Sequence, residues 1–159
     1  ILATNTMHKV APAIEAAIKI PFLHIADAIG RAIVSAGLKR PALMATAYTM
    51  EEPFYKERLA ARFGLDVMVP EADDRRETHR IIYNELCKGV VTEASRQAYV
   101  AIARRLQDRG ADCLILGCTE VGMLLNSANV PMPVFDTALI HVEEAVSFAL
   151  QGQTAMAAE

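Results

Sequence analysis

The chain has 159 residues, 53% of them hydrophobic and 22% charged, which suits one domain or two small ones around a substantial core. A formal net charge of -3, with arginines spread along segments that also carry acids, excludes an overall basic footprint for nucleic acid. No apolar run approaches the roughly 18 residues of a membrane-spanning helix, and three cysteines without a Cys-x-x-Cys pair make no disulfide framework, so a cytoplasmic protein with reduced thiols is expected.

Ile1 to Thr4 reads as a short apolar strand ending in the polar turn Thr4-Asn-Thr6, and Met7 to Ile20 carries alanines and isoleucines at helical spacing. Because Ile1 is not an initiator methionine and already looks like the inside of a strand, an upstream portion is expected. Pro21 marks a boundary; Phe22 to Ile25 reads as a strand, with Asp27 capping a helix that Gly37 closes. Pro41 to Ala45 is apolar again and exits through Thr46-Ala-Tyr-Thr49, after which Thr49 and Glu52 fit a capping box for a helix to about Phe63. Leu65 to Val69 is the next strand, and beyond Pro70 an amphipathic helix reaches about Lys88. Thr92 opens another helix, with Ala98, Ile102, Ala103 and Leu106 on one face, ending at Gly110. A last strand, Pro131 to Phe135, finishes at Asp136-Thr137 before a helix to about Leu150 and a frayed tail from Gln151 to Glu159.

Alternating strands and helices imply an α/β fold with parallel sheet and a ligand site outside the carboxyl ends of the strands. Four strand exits gather hydroxyl, amide and thiol groups: Thr4-Asn5-Thr6, Thr46 with Thr49, Cys118-Thr119-Glu120 and Asp136-Thr137. The third stands out. Leu114, Ile115 and Leu116 form the fully apolar run of a strand covered on both faces, and Gly117 permits a turn that a side chain would obstruct. Cys118 lands at the tip, where Thr119 or a neighbour capping the next helix would help the thiol ionise below its free value of about 8.5. An ordinary buried cysteine in a strand-to-helix turn fits the same stretch.

In order and spacing, Thr4-Asn-Thr-Met-His8, Thr46-Ala-Tyr-Thr-Met50 followed by Phe54-Tyr55, and Gly117-Cys-Thr-Glu120 resemble the aspartate/glutamate racemase family, its broad amino-acid racemase branch above all. Pro70-Glu-Ala-Asp-Asp74, Thr92-Glu-Ala-Ser95 and Pro133-Val-Phe-Asp-Thr137 extend the likeness from Ile1 to Leu150. The resemblance implies parallel sheets flanked by helices in two similar lobes. It also implies a reaction without cofactor or metal, in which two cysteines face the substrate α-carbon from opposite sides. The family's second cysteine falls on Cys118; its first falls on Thr4. An alcohol gives up its proton far less readily than a thiol, so Thr4 can donate or relay a proton more easily than abstract one, and the two directions of reaction should be unequal.

The resemblance further implies substrate contacts from Asn5, Thr6, Thr49 and Thr119, for which plain helix capping is the rival reading. Glu120 stands where glutamate racemases often place a histidine and would steer a proton or bind the substrate ammonium, or simply favour a helix start. His8 either neighbours Thr4 functionally or makes structural hydrogen bonds. His24, His79 and His141 show no metal-ligand pattern, and Cys87 and Cys113 read as inert packing. Family members carry a further amino-terminal strand-helix portion. The expected layout is therefore an incomplete first lobe at 1–36, a second lobe at 37–136, and a helix and tail at 137–159 returning to the first. A small-molecule amino-acid substrate is the expected partner, with no nucleic acid or membrane and a homodimer allowed. Rival functions are a decarboxylase or cis-trans isomerase of the same superfamily working with one thiol, and a non-catalytic small-acid binding domain.

Overall fold

The structure is a computed structural model that describes the backbone of residues 1–156 and the side chains of residues 1–150. Three strands, β1 (Pro41–Met44), β2 (Cys113–Leu116) and β3 (Val134–Asp136), form one parallel sheet in the order β1-β2-β3. Pro41 pairs with Cys113 and Leu114 with Val134. The described residues also form seven α-helices: α1 (Ala11–Ala17), α2 (Ile25–Ser35), α3 (Ala47–Glu51), α4 (Pro53–Phe63), α5 (Ala72–Asn84), α6 (Glu93–Asp108) and α7 (Thr137–Met156).

The pleat sorts the core. Ala42, Met44, Leu114 and Leu116 face Ile81, Ile82, Tyr99, Ile102, Ala103 and Leu106 of α5 and α6. Leu43, Ala45, Cys113 and Ile115 face Ile25, Ile29, Ile33, Tyr55 and Leu59 of α2 and α4. Successive side chains of a strand point to opposite faces, so an unbroken apolar run is the mark of a strand covered twice. Each fully buried Leu or Ile contributes about 1.5–3 kcal/mol, which explains why a three-stranded sheet suffices to hold the layers.

Several expected elements take another form. Residues 1–4 are not a strand; a turn joins Thr4 N–H to the Leu2 carbonyl, and a 3₁₀ segment, Thr6–Val10, leads into α1. Phe22 to Ile25 is not a strand either. Among the described residues no strand pairs with it, and histidines bond its backbone. Ile25 N–H donates to His8 Nε2 at 3.2 Å, and His141 Nε2 bonds the Leu23 carbonyl at 2.8 Å. The strand expected at Leu65 to Val69 shrinks to a single bridge, Met68 to Ala42, because Pro70 offers no N–H to extend it.

Helix starts differ too. His24, not Asp27, caps α2, its Nδ1 accepting from Ala26 N–H at 3.2 Å. Asp27 turns its carboxylate to α4, where Arg58 grips it with two bonds of 2.6 and 2.8 Å and Arg62 adds a third contact. Burial alone would raise the Asp27 carboxyl, but the Arg58 bonds and both guanidinium charges hold it below the usual range. The Thr49–Glu52 capping box does not form; Thr49 lies inside α3, and α4 starts at Pro53 with Glu52 making no side-chain cap. Thr92 does cap α6, accepting from Ser95 N–H. The helix expected to stop near Leu150 runs to Met156, and the rest of the tail lies outside the described residues.

Candidate active site

The carboxyl ends of β1 and β2 open onto a cavity of about 470 Å³. Gly117 directs the second of these exits, though not through turn freedom. Its N–H continues the sheet by donating to the Met44 carbonyl at 2.8 Å, and a Cβ there would stand 2.6 Å from Leu43 Cδ1 and 2.8 Å from Ala45 Cβ. Close approach of two strands requires the glycine.

Cys118, half-buried, comes next and donates from Sγ to Glu120 Oε2 at 2.8 Å; Thr119 Oγ1 donates to the same oxygen at 2.8 Å. Burial, and then the hydrogen bond and charge of Glu120, push the Cys118 thiol up to about 12. The sequence-based expectation of an acidic thiol is therefore overturned. The helix expected beyond Cys118 is one 3₁₀ turn, Val121–Met123, with no side-chain cap. It is too short to lend a helix dipole, whereas a carboxylate sits against the sulfur. Burial would raise Glu120 as well, but the bonds from Cys118 and Thr119 hold it below the usual carboxylate range.

Another part of the lining comes from the segment before and within the 3₁₀ turn at Thr6–Val10: Thr4, Asn5 and Thr6 all line the cavity. Thr6 Oγ1 sits 2.8 Å from Thr49 Oγ1 and 3.2 Å from Thr46 Oγ1, and the latter two are 3.2 Å apart. Thr46 lines the cavity, while Thr49 is fully buried one layer behind it, its hydroxyl engaged by its neighbours. Asn5 Nδ2 donates to Thr137 Oγ1 at 2.9 Å, and Thr137 in turn donates to the Leu116 carbonyl at 2.8 Å.

His8 acts on the backbone. Its Nε2 accepts from Ile25 N–H, so the neutral ring carries its proton on Nδ1, which donates to the Thr4 carbonyl at 2.6 Å. Burial, opposed by the Thr4 bond and reinforced by the neighbouring His141 and Arg58, lowers its pKa to about 4. A ring with both nitrogens occupied holds Thr4 in place and is no base for its hydroxyl.

Sequence reasoning missed part of the wall. Cys87 is not packed in a helix: it is exposed on the 3₁₀ turn Leu86–Lys88 and lines the cavity beside Ile82 and Tyr83. Burial and the Glu120 charge push its thiol up. Tyr48 is exposed and lines the cavity as well. Between these tyrosines His79 accepts from Ala47 N–H at 3.1 Å, its ring 4.6 Å from Tyr83 and 6.0 Å from Tyr48. Among the described residues no group of three or more His, Cys, Asp or Glu is placed to hold a metal ion.

A family model for Asp/Glu/hydantoin racemases matches residues 1–145. The chain belongs to the Asp/Glu/hydantoin racemase family. It is similar to a candidate Asp/Glu racemase from Yersinia pestis, at 46% identity and a TM-score of 0.88, over 92% of this chain and 64% of that one. It is also similar to an aspartate racemase homologue from Pyrococcus horikoshii, at 31% identity and a TM-score of 0.83, again over 92% and 64%. A glutamate racemase from Francisella tularensis, solved with D-glutamate, shares the fold at 18% identity and a TM-score of 0.71, over 96% of this chain and 57% of that one. The chain thus spans less than two thirds of the length of these relatives. For this member of the Asp/Glu/hydantoin racemase family, the cavity brings together Cys118, Thr4, Asn5, Thr6, Thr119 and Glu120, and leaves Thr49 behind its wall.

Proposed function

We propose that the protein is an amino-acid racemase acting on aspartate, glutamate or a related amino acid without pyridoxal phosphate, Cys118 abstracting the α-proton and Thr4 serving the opposite face. The observation that carries this reading is the Cys118–Glu120 thiol–carboxylate pair at a strand exit, in one cavity with the Thr4-Asn5-Thr6 wall. The resting sulfur is protonated. A substrate ammonium entering beside it favours the thiolate, and Glu120 is placed to take the thiol proton. The thiolate then removes the Cα proton, whose electron pair spreads into the α-carboxylate, and the Thr4 hydroxyl delivers a proton from the other side and recovers one from water, the resulting hydroxide being neutralised by the proton that Glu120 took. A reducing cytoplasm suits this chemistry, since it keeps Cys118 a thiol.

Proton exchange at Cα in heavy water, monitored on each enantiomer, tests the reading. Racemisation has an equilibrium constant of one, so kcat/KM is equal in both directions. The weakness of Thr4 as a base appears instead as exchange with retention on the enantiomer that faces Cys118, and slow exchange on the other. Cys118→Ala is expected to abolish exchange; exchange that survives this substitution refutes the assignment. A second reading, a decarboxylase or cis-trans isomerase working through Cys118 alone, draws on the commitment of His8 to backbone groups, which leaves it unable to activate the Thr4 hydroxyl. Such an enzyme turns over its substrate without exchanging an amino-acid Cα proton.

A further inference from the structure

A second cavity, of about 400 Å³, shares no lining residue with the first. It opens between His8, Lys9 and Pro12 of the 3₁₀ turn and α1, the α2 cap His24, and the stretch of α4 from Phe54 to Arg62. Small-molecule sites occupy about 300–1,000 Å³, so the space is adequate for one. His24 marks it. The residue is 3% exposed, and its Nδ1 accepts from Ala26 N–H at 3.2 Å. Burial first, and then His8 and Arg58, lower its pKa to about 3, so the ring is neutral and carries its one proton on Nε2. Among the described residues that N–H has no hydrogen-bond partner, yet Nε2 keeps accessible surface. A nearly buried donor without a partner is unfavourable, and an acceptor entering the cavity relieves it.

The neighbouring side chains add donors and an apolar bed. Arg58 gives Nε and Nη2 to Asp27, and Arg62 Nη1 approaches the same carboxylate at 3.1 Å, so one acid serves two guanidinium groups whose remaining N–H groups have no partner among the described residues. Lys9 pairs with Glu52 at 3.3 Å, and the exposed Glu57 is the one acid that lines the cavity against Lys9, Arg58 and Arg62. Phe54, Pro12 and Ala61 supply apolar surface. We infer that this cavity is a binding site for a small organic anion, its apolar body against Phe54 and Pro12 and its carboxylate or phosphate oxygens accepting from His24 Nε2 and from the guanidinium groups of Arg58 and Arg62. Such oxygens accept several bonds at once and match a guanidinium, whereas an ammonium would meet only donors. The inference is independent of the racemase reading. An occupant stands one side chain from the active-site cavity, because His8, which lines this second space, donates to the Thr4 carbonyl at 2.6 Å.

The test titrates phenyl phosphate and benzoate, with benzyl alcohol as their uncharged counterpart, into protein carrying isotope-labelled histidine at pH 7. The four histidines report where a probe goes, since His24 lines the second cavity while His79 packs on Tyr83 beside the first. Expected are a saturable shift of the His24 Nε2 nitrogen with at least one of the anions, His79 unmoved, and affinity about 10-fold or more above that of benzyl alcohol, the worth of a hydrogen bond to a charged group. Exposed charges act weakly, so Arg62→Gln should loosen the anion by about two- to fivefold and Glu57→Gln should tighten it by a similar factor. No saturable shift at His24 with either anion, a shift at His79 in its place, or benzyl alcohol bound as tightly overturns the assignment. Two variants that leave affinity unchanged, or move it in the same direction, overturn it as well. Should a variant fail to fold, the titration of the parent protein decides.

Discussion

Replacing Glu120 by Gln isolates the carboxylate's hold on the thiol. In the folded protein the Cys118 thiol ionises only near 12, pushed there by burial first and by the hydrogen bond and charge of Glu120 second. Glutamine keeps the size and removes the charge that repels a thiolate. A neighbouring charge typically moves a pKa by about 1–3, so the thiolate fraction of Cys118 at pH 8 is expected to rise roughly 10- to 1000-fold, still short of full ionisation because the burial remains. Iodoacetamide alkylation at a series of pH values reads that fraction, and peptide fragmentation assigns the label to Cys118 rather than Cys87 or Cys113. Two results would refute the reasoning: an unaltered pH profile in the variant, or a parent thiol that already reacts as a group ionising at or below 8.5.

Acid should unfold the protein through its buried imidazoles. Burial holds His8 near 4 and His24 near 3 against an ordinary 6.5. Between those values the unfolded chain binds protons that the folded one refuses, so stability falls as pH drops below about 6.5, by roughly 3 kcal/mol from His8 alone at pH 4. Asp27, with a depressed carboxyl, adds its own loss as pH falls through its folded value. Urea midpoints that stay level from pH 7 to pH 4 would contradict this, and His24→Asn should flatten the slope. Gly117→Ala forces a Cβ to within 2.6 Å of Leu43 Cδ1; it is expected to cost about 1–3 kcal/mol by denaturant unfolding and to slow Cα exchange by displacing the sulfur. Ile115→Ala, emptying a fully buried position on the α2/α4 side, should cost about 2–5 kcal/mol, and a loss under 1 kcal/mol would mean that face is loosely packed.

The sheet was legible where its residues permit no alternative. Leu114 to Leu116 is apolar on both parities, which only a doubly covered strand explains, and β1 repeats that pattern. Thr92 announced the start of α6 because a hydroxyl before a helix has one common use. The strands expected at Ile1 to Thr4 and Phe22 to Ile25 were misread because apolar composition does not reveal whether a strand pairs with the segment; around Leu23 to Ile25 histidine nitrogens bond the backbone instead. The Cys118 wall was legible as a strand exit, whereas the polar residues of the Thr4 wall stood out in the sequence although no strand leads into them. Their electrostatics were not, since the sign of the thiol's shift depends on a contact of 2.8 Å to a carboxylate that a one-dimensional reading treats as a helix start. Cys87 escaped notice for the complementary reason: an isolated thiol in a polar stretch carries no mark of which face it presents.

The alternation of the core also governs chemistry. Leu114 and Leu116 point to the α5/α6 side, and Cys118, two further steps along the same parity, packs partly against that same cluster. The address of Cys118 is thus written as an even count from Leu114 and Leu116. Deleting one residue within the strand would carry the sulfur to the other layer and bury it among α2 and α4, whereas deleting two would shorten its reach while preserving its side. Any redesign of this protein that alters strand length must conserve that phase before it considers the residues of the cavity.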